Sequence, residues 1–243
     1  MKRYGIGLLW ALFIAAGCAV PVGYRYLAGP VRSVSEEGQA EGVVVMDDGT
    51  VKHAIGRLEI ALKPMTDEEL NRQFSSATKE GLNPYTYGTW RPMGEMDTPD
   101  RFTVFHLRVK NYEFPKMEVD PSKVEITTSN GRKYTPFSLL ELDNYFSRYA
   151  AGYAGNPYKG FKQRMDILKR TSYQKDVVFS GQEREGYLVF PPFPPDVTDF
   201  NVQLSGIVLR FDHRNEAMET VDQSFHFERE VRLEHARGVT ALP

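Results

Sequence analysis

Arg101-Phe-Thr-Val-Phe-His-Leu-Arg-Val-Lys-Asn111 is the stretch from which the fold is read. Side chains on an extended chain point alternately to two faces. Phe102, Val104, His106, Arg108 and Lys110 therefore share one face, and Thr103, Phe105, Leu107 and Val109 the other. Aromatic and β-branched residues suit a pleated, half-buried surface, so the stretch predicts a strand.

The same signals continue downstream. Val119, Val124 and Ile126 are extended-type residues interrupted by Asp120-Pro121. Ser129-Asn130-Gly131-Arg132 is a hairpin turn, because Asn-Gly accommodates positive φ, and Lys133-Tyr134-Thr135 starts the return strand. Further strands are expected at 177–179, 187–190, 200–211 and 223–233. Pro191-Pro192-Phe193-Pro194-Pro195 has too few donors for a central strand and reads as an extended crossover between strands or sheets. Upstream, Val43-Val44-Val45-Met46, a turn at Asp47-Asp48-Gly49-Thr50 and a strand from Val51 to Leu62 form a hairpin. Two helices interrupt this pattern. Thr66-Asp-Glu-Glu69 and Ser138-Leu-Leu-Glu141 are capping boxes, in which the hydroxyl and the carboxylate each cap a backbone amide. They predict helical insertions at about 66–78 and 138–169, the latter including Phe161, Met165 and Leu168 at helical spacing. Many short strands, turns and one crossover give a mainly β fold, a β-sandwich with helical insertions.

Three motifs sharpen that expectation. Phe102-x-Val104-x-x-Leu107-x-Val109-x-Asn111, then Val124-x-Ile126 before Asn130-Gly131-x-x-Tyr134, then Gly186-Tyr-Leu-Val-Phe190 resemble the immunoglobulin-like domain of many bacterial lipoproteins of unknown function. The resemblance spans about 100–210 and implies an immunoglobulin-like β-sandwich, with no reaction attached.

The N-terminus points the same way. Lys2 and Arg3 precede the apolar run Ile6 to Cys18, which ends in Ala15-Ala16-Gly17. A charged start, a short apolar stretch and small residues before a cut site make an export signal. The run is too short for a comfortable membrane span, which needs about 20 residues. It resembles a lipoprotein signal peptide, with Ala15 where that family prefers Leu, Val or Ile. The resemblance implies cleavage after Gly17 and acylation of Cys18, the only cysteine in the chain. It also implies a lipid-bilayer partner, and Ala19 in place of Asp favours the outer membrane. An ordinary signal peptide cut nearby and an uncleaved anchor helix are the alternatives. Residues 1–17 are thus expected as signal, 18–41 as a lipidated tether with Pro21, Gly23, Gly29 and Pro30, and 42–243 as the β domain.

Removing residues 1–17 takes away Lys2 and Arg3 and no acid, leaving 28 basic against 32 acidic residues, a net of −4. That excludes a basic nucleic-acid binder. With one cysteine, no disulfide can form within the chain, so the fold rests on its core. Apolar residues at 41% and aromatics at 12% are enough to build one.

Catalytic signatures are sparse. The five histidines form no His-Glu-x-x-His motif, and neither a Gly-x-Ser-x-Gly elbow nor a phosphate-cradling glycine loop occurs. His226-x-Glu228 would share one strand face and could ligate a metal, or it is a solvated face. Asp47-Asp48-Gly49 lacks the spacing of a calcium loop and fits a hairpin turn. The reading is of a protein with no catalytic residues, no metal and no cofactor.

Aromatic loops are the better lead. Tyr85, Tyr87 and Trp90 lie in one; Tyr149, Tyr153 and Tyr158 lie in another, among Arg148, Lys159, Lys162 and Arg164. Rigid rings with basic neighbours often form binding surfaces; alternatively these rings staple the loops to the sandwich. The sequence therefore suggests an envelope lipoprotein that binds or scaffolds a protein partner. A carrier for an apolar or glycan ligand is the alternative, and a hydrolase with an unseen site a third.

Overall fold

The alternation read at 103–111 becomes β5 (Thr103–Asn111) of a five-stranded sheet. In this computed structural model, the residues described are 24–76, 83–85, 102–151 and 157–235. The chain runs β1 (Tyr24–Ser33), β2 (Val43–Val45), β3 (Val51–Ile55), β4 (Leu58–Pro64), α1 (Asp67–Phe74), β5, β6 (Lys116–Val119), β7 (Val124–Thr128) and β8 (Lys133–Tyr134). It continues through α2 (Leu139–Ala151), α3 (Pro157–Thr171), β9 (Asp176–Phe179), β10 (Glu183–Phe190), β11 (Asp199–Phe211) and β12 (Ala217–His235). The described residues are mainly β, with two antiparallel sheets and three α-helices.

The smaller sheet has the order β10-β5-β4-β3-β2. In the larger, β1-β12-β11-β6-β9 lie side by side, β7 also pairs with β11, and β8 extends β7. β6 and β7 are two halves of one edge along β11, split by a short 3₁₀ turn at Pro121–Lys123. Asp120 caps that turn, accepting from the Ser122 amide at 3.0 Å. The proline-rich crossover at 191–195 carries the chain from β10 in one sheet to β11 in the other.

The sheets share one core. Phe105, Leu107 and Val109 of β5 lie in it with Leu58, Ile60 and Leu62 of β4, and Phe200, Val202, Phe225 and Phe227 come from the larger sheet. Phe105 reaches across, with ring centroids 4.9 Å from Phe227 and 6.4 Å from Phe200. Each such ring contributes about 1.5–3 kcal/mol by burial, so the fold rests on this core.

β5 is apolar on its other face too, but only at its start. Phe102 and Val104, with Tyr187 and Val189 of β10, are covered by Leu70 and Phe74 of α1, Leu142 and Phe146 of α2, and Met165 and Leu168 of α3. The helices thus form a layer outside the smaller sheet. Both capping boxes form: Thr66 Oγ1 accepts from the Glu69 amide at 3.2 Å, and Ser138 Oγ from the Glu141 amide at 3.2 Å.

Two expectations are corrected. Val51 to Leu62 is two strands, because Gly56 at φ +60° turns the chain between Ile55 and Leu58. Of the expected tether at 18–41, residues 24–41 are described, and most of them are folded. Tyr24–Ser33 pairs with β12, and Glu36–Gly38 makes a 3₁₀ turn. Gln39 fastens the crossing that follows: its Nε2 donates to the His226 carbonyl at 2.7 Å, and its Oε1 accepts from the His226 amide at 2.9 Å. The Gly29-Pro30 pair that reads as linker sits at a register shift between Ala28 and Val31, on an edge strand where a missing amide is tolerated.

Candidate functional site

Of the aromatic residues singled out in the sequence, Tyr85 has a described side chain, and it faces inward against the helical layer. The segment around Tyr85 is pinned locally: the Tyr85 amide donates to Asn83 Oδ1 at 2.9 Å, and Asn83 Nδ2 donates to Asn71 Oδ1 at 2.9 Å. This drives the Tyr85 ring between Phe74, 5.5 Å away, and Tyr187, 4.8 Å away. Tyr85 is fully buried, and its hydroxyl meets that of Thr171 at the end of α3. Burial pushes its phenol above the ordinary tyrosine range. Tyr85 is therefore corrected from a partner-facing ring to a pillar joining α1, α3 and β10. Tyr187 beside it donates to Gln73 Oε1 at 2.5 Å, and burial pushes its phenol up to about 12.

The second group is organised around Phe102. Tyr145 and Phe146 of α2 lie 4.9 and 6.0 Å from it, and Phe137 lies 5.7 Å from it. Tyr149 lies in the last turn of α2 and Tyr158 in the first turn of α3. The hairpin that joins these helices brings the two positions to the same end. Tyr87, Trp90, Tyr153 and Cys18 lie outside the described residues. Lys162, Lys169 and Arg170 are exposed along α3.

Arg164 is the unusual charge here. Its guanidinium lies 4.5 Å over the Phe146 ring, and no carboxylate pairs with it among the described residues. Burial lowers its pKa to about 10, partly offset by Tyr145. A half-buried cation over an aromatic face pays desolvation that the contact returns only in part. Arg164→Met keeps the stem packed and removes the charge. We expect its Tm to equal or exceed that of the wild type in thermal unfolding; a fall of several degrees would reveal an anionic partner.

The remaining candidates resolve into structural roles. His226 Nε2 lies 2.8 Å from Asp199 Oδ2 and Nδ1 3.0 Å from the Gly38 carbonyl, so the ring ties β12 to β11 and to the crossing from β1. Among the described residues, no group of three or more His, Cys, Asp or Glu could hold a metal. His106 is a cross-strand partner of Tyr187, with ring centroids 5.0 Å apart. Asp47-Asp48-Gly49 closes the β2–β3 hairpin, with Gly49 at φ +79°.

A cleft of about 560 Å³ opens between the end of β1, this hairpin and the start of α1. Arg32, Asp47, Asp48, Thr66 and Glu69 line it. Lys63 bridges two of its acids, 3.3 Å from Asp48 and 2.9 Å from Glu69. Burial opposes ionisation of Glu69, but the Thr66 amide and Lys63 hold its carboxyl below the usual range. Acids already compensated in this way make a charged, open cleft, unlike the enclosed apolar pocket that suits an apolar ligand.

Sequence reasoning missed the exposed apolar residues at the other end of the molecule. Tyr112, Phe179 and Met218 are 49%, 52% and 66% exposed, in or beside the turns where β5, β9 and the β11–β12 hairpin end. Lys116 spans part of this end, 4.5 Å over the Phe211 ring. The only signal was apolar residues next to turn chemistry.

Comparison with known proteins adds no relative: no family model matches the sequence, and no significant match to it is found among curated proteins or solved structures.

Proposed function

We propose that this protein is a bacterial envelope lipoprotein, held to a bilayer through an acylated Cys18, that acts as a non-catalytic binding or scaffold subunit. Its body is an immunoglobulin-like sandwich with helical insertions. Two antiparallel sheets around one core support that fold reading, with Asn111 ending β5, Asn130-Gly131 between β7 and β8, and Gly186 within β10. The lack of Asp at position 19 supports the outer membrane as its site.

The observation that carries the anchoring is the place of β1. Residues 19–23 separate Cys18 from a strand stitched along β12, so acyl chains on Cys18 would hold the folded body itself at the membrane. One chain gives only marginal membrane binding, whereas two or more hold firmly. The partner-binding residues are Tyr149, in the last turn of α2, and Tyr158, in the first turn of α3, together with Tyr87, Trp90 and Tyr153, which lie outside the described residues; buried Tyr85 packs between α1, α3 and β10. The inward packing of Tyr145, Phe146 and Phe161 supports this role, because it makes the hairpin a rigid platform.

Crosslinking in the native envelope tests the proposal, with Cys18→Ser as control. We expect a defined envelope protein to be captured by the wild type and lost or weakened in the variant. Co-purification of a small ligand or lipid with no protein partner overturns the scaffold reading.

A further inference from the structure

β11 pairs with β12 only as far as Glu228, opposite Asp199. Beyond that point β12 pairs with β1 alone among the described strands, from Arg229 opposite Val31 to His235 opposite Tyr24. The two strands therefore leave the sheet as a two-stranded ribbon. Such ribbons are marginal in water unless one face is covered.

The ribbon's faces differ. Residues opposite each other in antiparallel register share a face, and so do residues two apart. Ala28 pairs with Val231, so Tyr26, Ala28 and Val231 lie on one side. The Tyr26 ring is 63% exposed. The opposite side carries Glu230 and Arg232, ion-paired at 2.6 Å. The first side is thus apolar with a tyrosine, bounded toward the sheet by Arg229, whose guanidinium donates to the Val197 and Phe193 carbonyls, and the second carries these charges beside Leu27, the partner of Arg232.

We infer that the apolar face of the β1–β12 ribbon, with Tyr26 at its centre, lies in the headgroup layer of the bilayer as a second membrane contact. This rests on the proposed acylation of Cys18. The segment between Cys18 and Tyr24, Ala19-Val-Pro-Val-Gly23, has no charge, and fully extended it reaches at most roughly 20 Å. An acylated Cys18 therefore keeps the start of the ribbon within reach of the headgroups. Tyrosine, apolar in body and polar at its tip, favours that layer. Two contacts also fix orientation: β12 is about 60 Å long at about 3.3 Å per residue, so Met218 at its start stands far from the membrane.

The test uses the full mature chain in vesicles of phosphatidylethanolamine and phosphatidylglycerol. Ala28→Cys and, separately, Met218→Cys place a nitroxide at each end of β12, with acylated Cys18 unavailable to the label. Collision rates with oxygen and with a water-soluble nickel chelate read the depth of each. We expect the label at 28 to favour oxygen several-fold over the label at 218, and Tyr26→Ser in the Ala28→Cys background to move it back toward water. Equal water exposure at both positions overturns the inference, as does spin–spin broadening at 28, which would put a second copy on the ribbon. Mass spectrometry of the Cys18 peptide separates the two claims. A missing acyl mass defeats the lipoprotein reading. An acylated Cys18 with a water-exposed label at 28 defeats only the ribbon contact.

Discussion

Asn111→Leu lowers the unfolding free energy by about 3 kcal/mol or more, far beyond the effect of an ordinary surface change. Asn111 is fully buried at the end of β5, and its amide makes four bonds. Oδ1 accepts from the amides of Glu113 at 3.2 Å and Phe114 at 2.9 Å. Nδ2 donates to the carbonyls of Phe114 at 2.8 Å and Val178 at 2.9 Å. The Asn111 backbone also meets the β9–β10 turn, through the Gln182 carbonyl at 2.9 Å and the Gly181 amide at 2.7 Å. One side chain thus joins the β5–β6 turn, β9 and the end of the smaller sheet. Leucine has a similar volume, so the loss comes from stranded polar groups and not from a cavity. Urea unfolding of wild type and variant measures it. A loss below about 1 kcal/mol would mean that water replaces the amide at all four partners.

This role also says what the strand motif ending in Asn111 is for. The asparagine that closes it is a corner brace, and its chemistry is structural. A sequence can suggest such a residue, because a buried amide at a strand end has few uses other than to satisfy a turn. It cannot say which turns are braced, since Val178 is brought there only by the fold.

Elements defined by their own residues were readable in the same way. The alternation of β5, the turn at Asn130-Gly131, the two capping boxes and the proline crossover each depend on neighbours in the chain. β1 was not readable, because an edge strand with a bulge at Gly29-Pro30 has the composition of a linker. Its pairing is set by β12, some 200 residues away in sequence. The orientation of Tyr85 was hidden for a related reason. A ring in an irregular loop faces inward or outward according to what lies beneath it. The clue lay elsewhere: Phe102 and Val104 are apolar on the face that later carries His106, Arg108 and Lys110. A strand apolar on both sides requires a second layer, and that layer needs rings to fill it. Tyr85, Phe74, Tyr145 and Phe146 fill it here. What the exposed ends of this layer bind depends on a partner, which no local pattern encodes.

The chain leaving the helical layer approaches the sheet closely at Gly186, and Gly186→Ala disrupts that contact. A Cβ built on Gly186 would lie 2.6 Å from the Tyr173 nitrogen and Cα, and 2.9 Å from the Ser172 carbonyl carbon. All three are backbone atoms, which cannot swing aside as a side chain can. The chain leaving α3 lies along β10 at this point: the Tyr173 amide donates to the Tyr187 carbonyl at 2.9 Å, and Ser172 bridges Tyr187 in parallel. The glycine is needed for space and not for positive φ. Moving the strand and this segment apart costs about 3 kcal/mol, the upper range for overpacking. The effect is also local. The Tyr173 amide should exchange with solvent faster than the β11–β12 amides, because the bond that protects it is the one displaced. In the proposed scaffold role, α3 carries the partner surface, so the crosslinked product should fall with Gly186→Ala even below the temperature of global unfolding. Unchanged crosslinking in a variant that has lost Tyr173 protection would place the partner surface elsewhere, with the exposed end around Tyr112, Phe179 and Met218 the next to test.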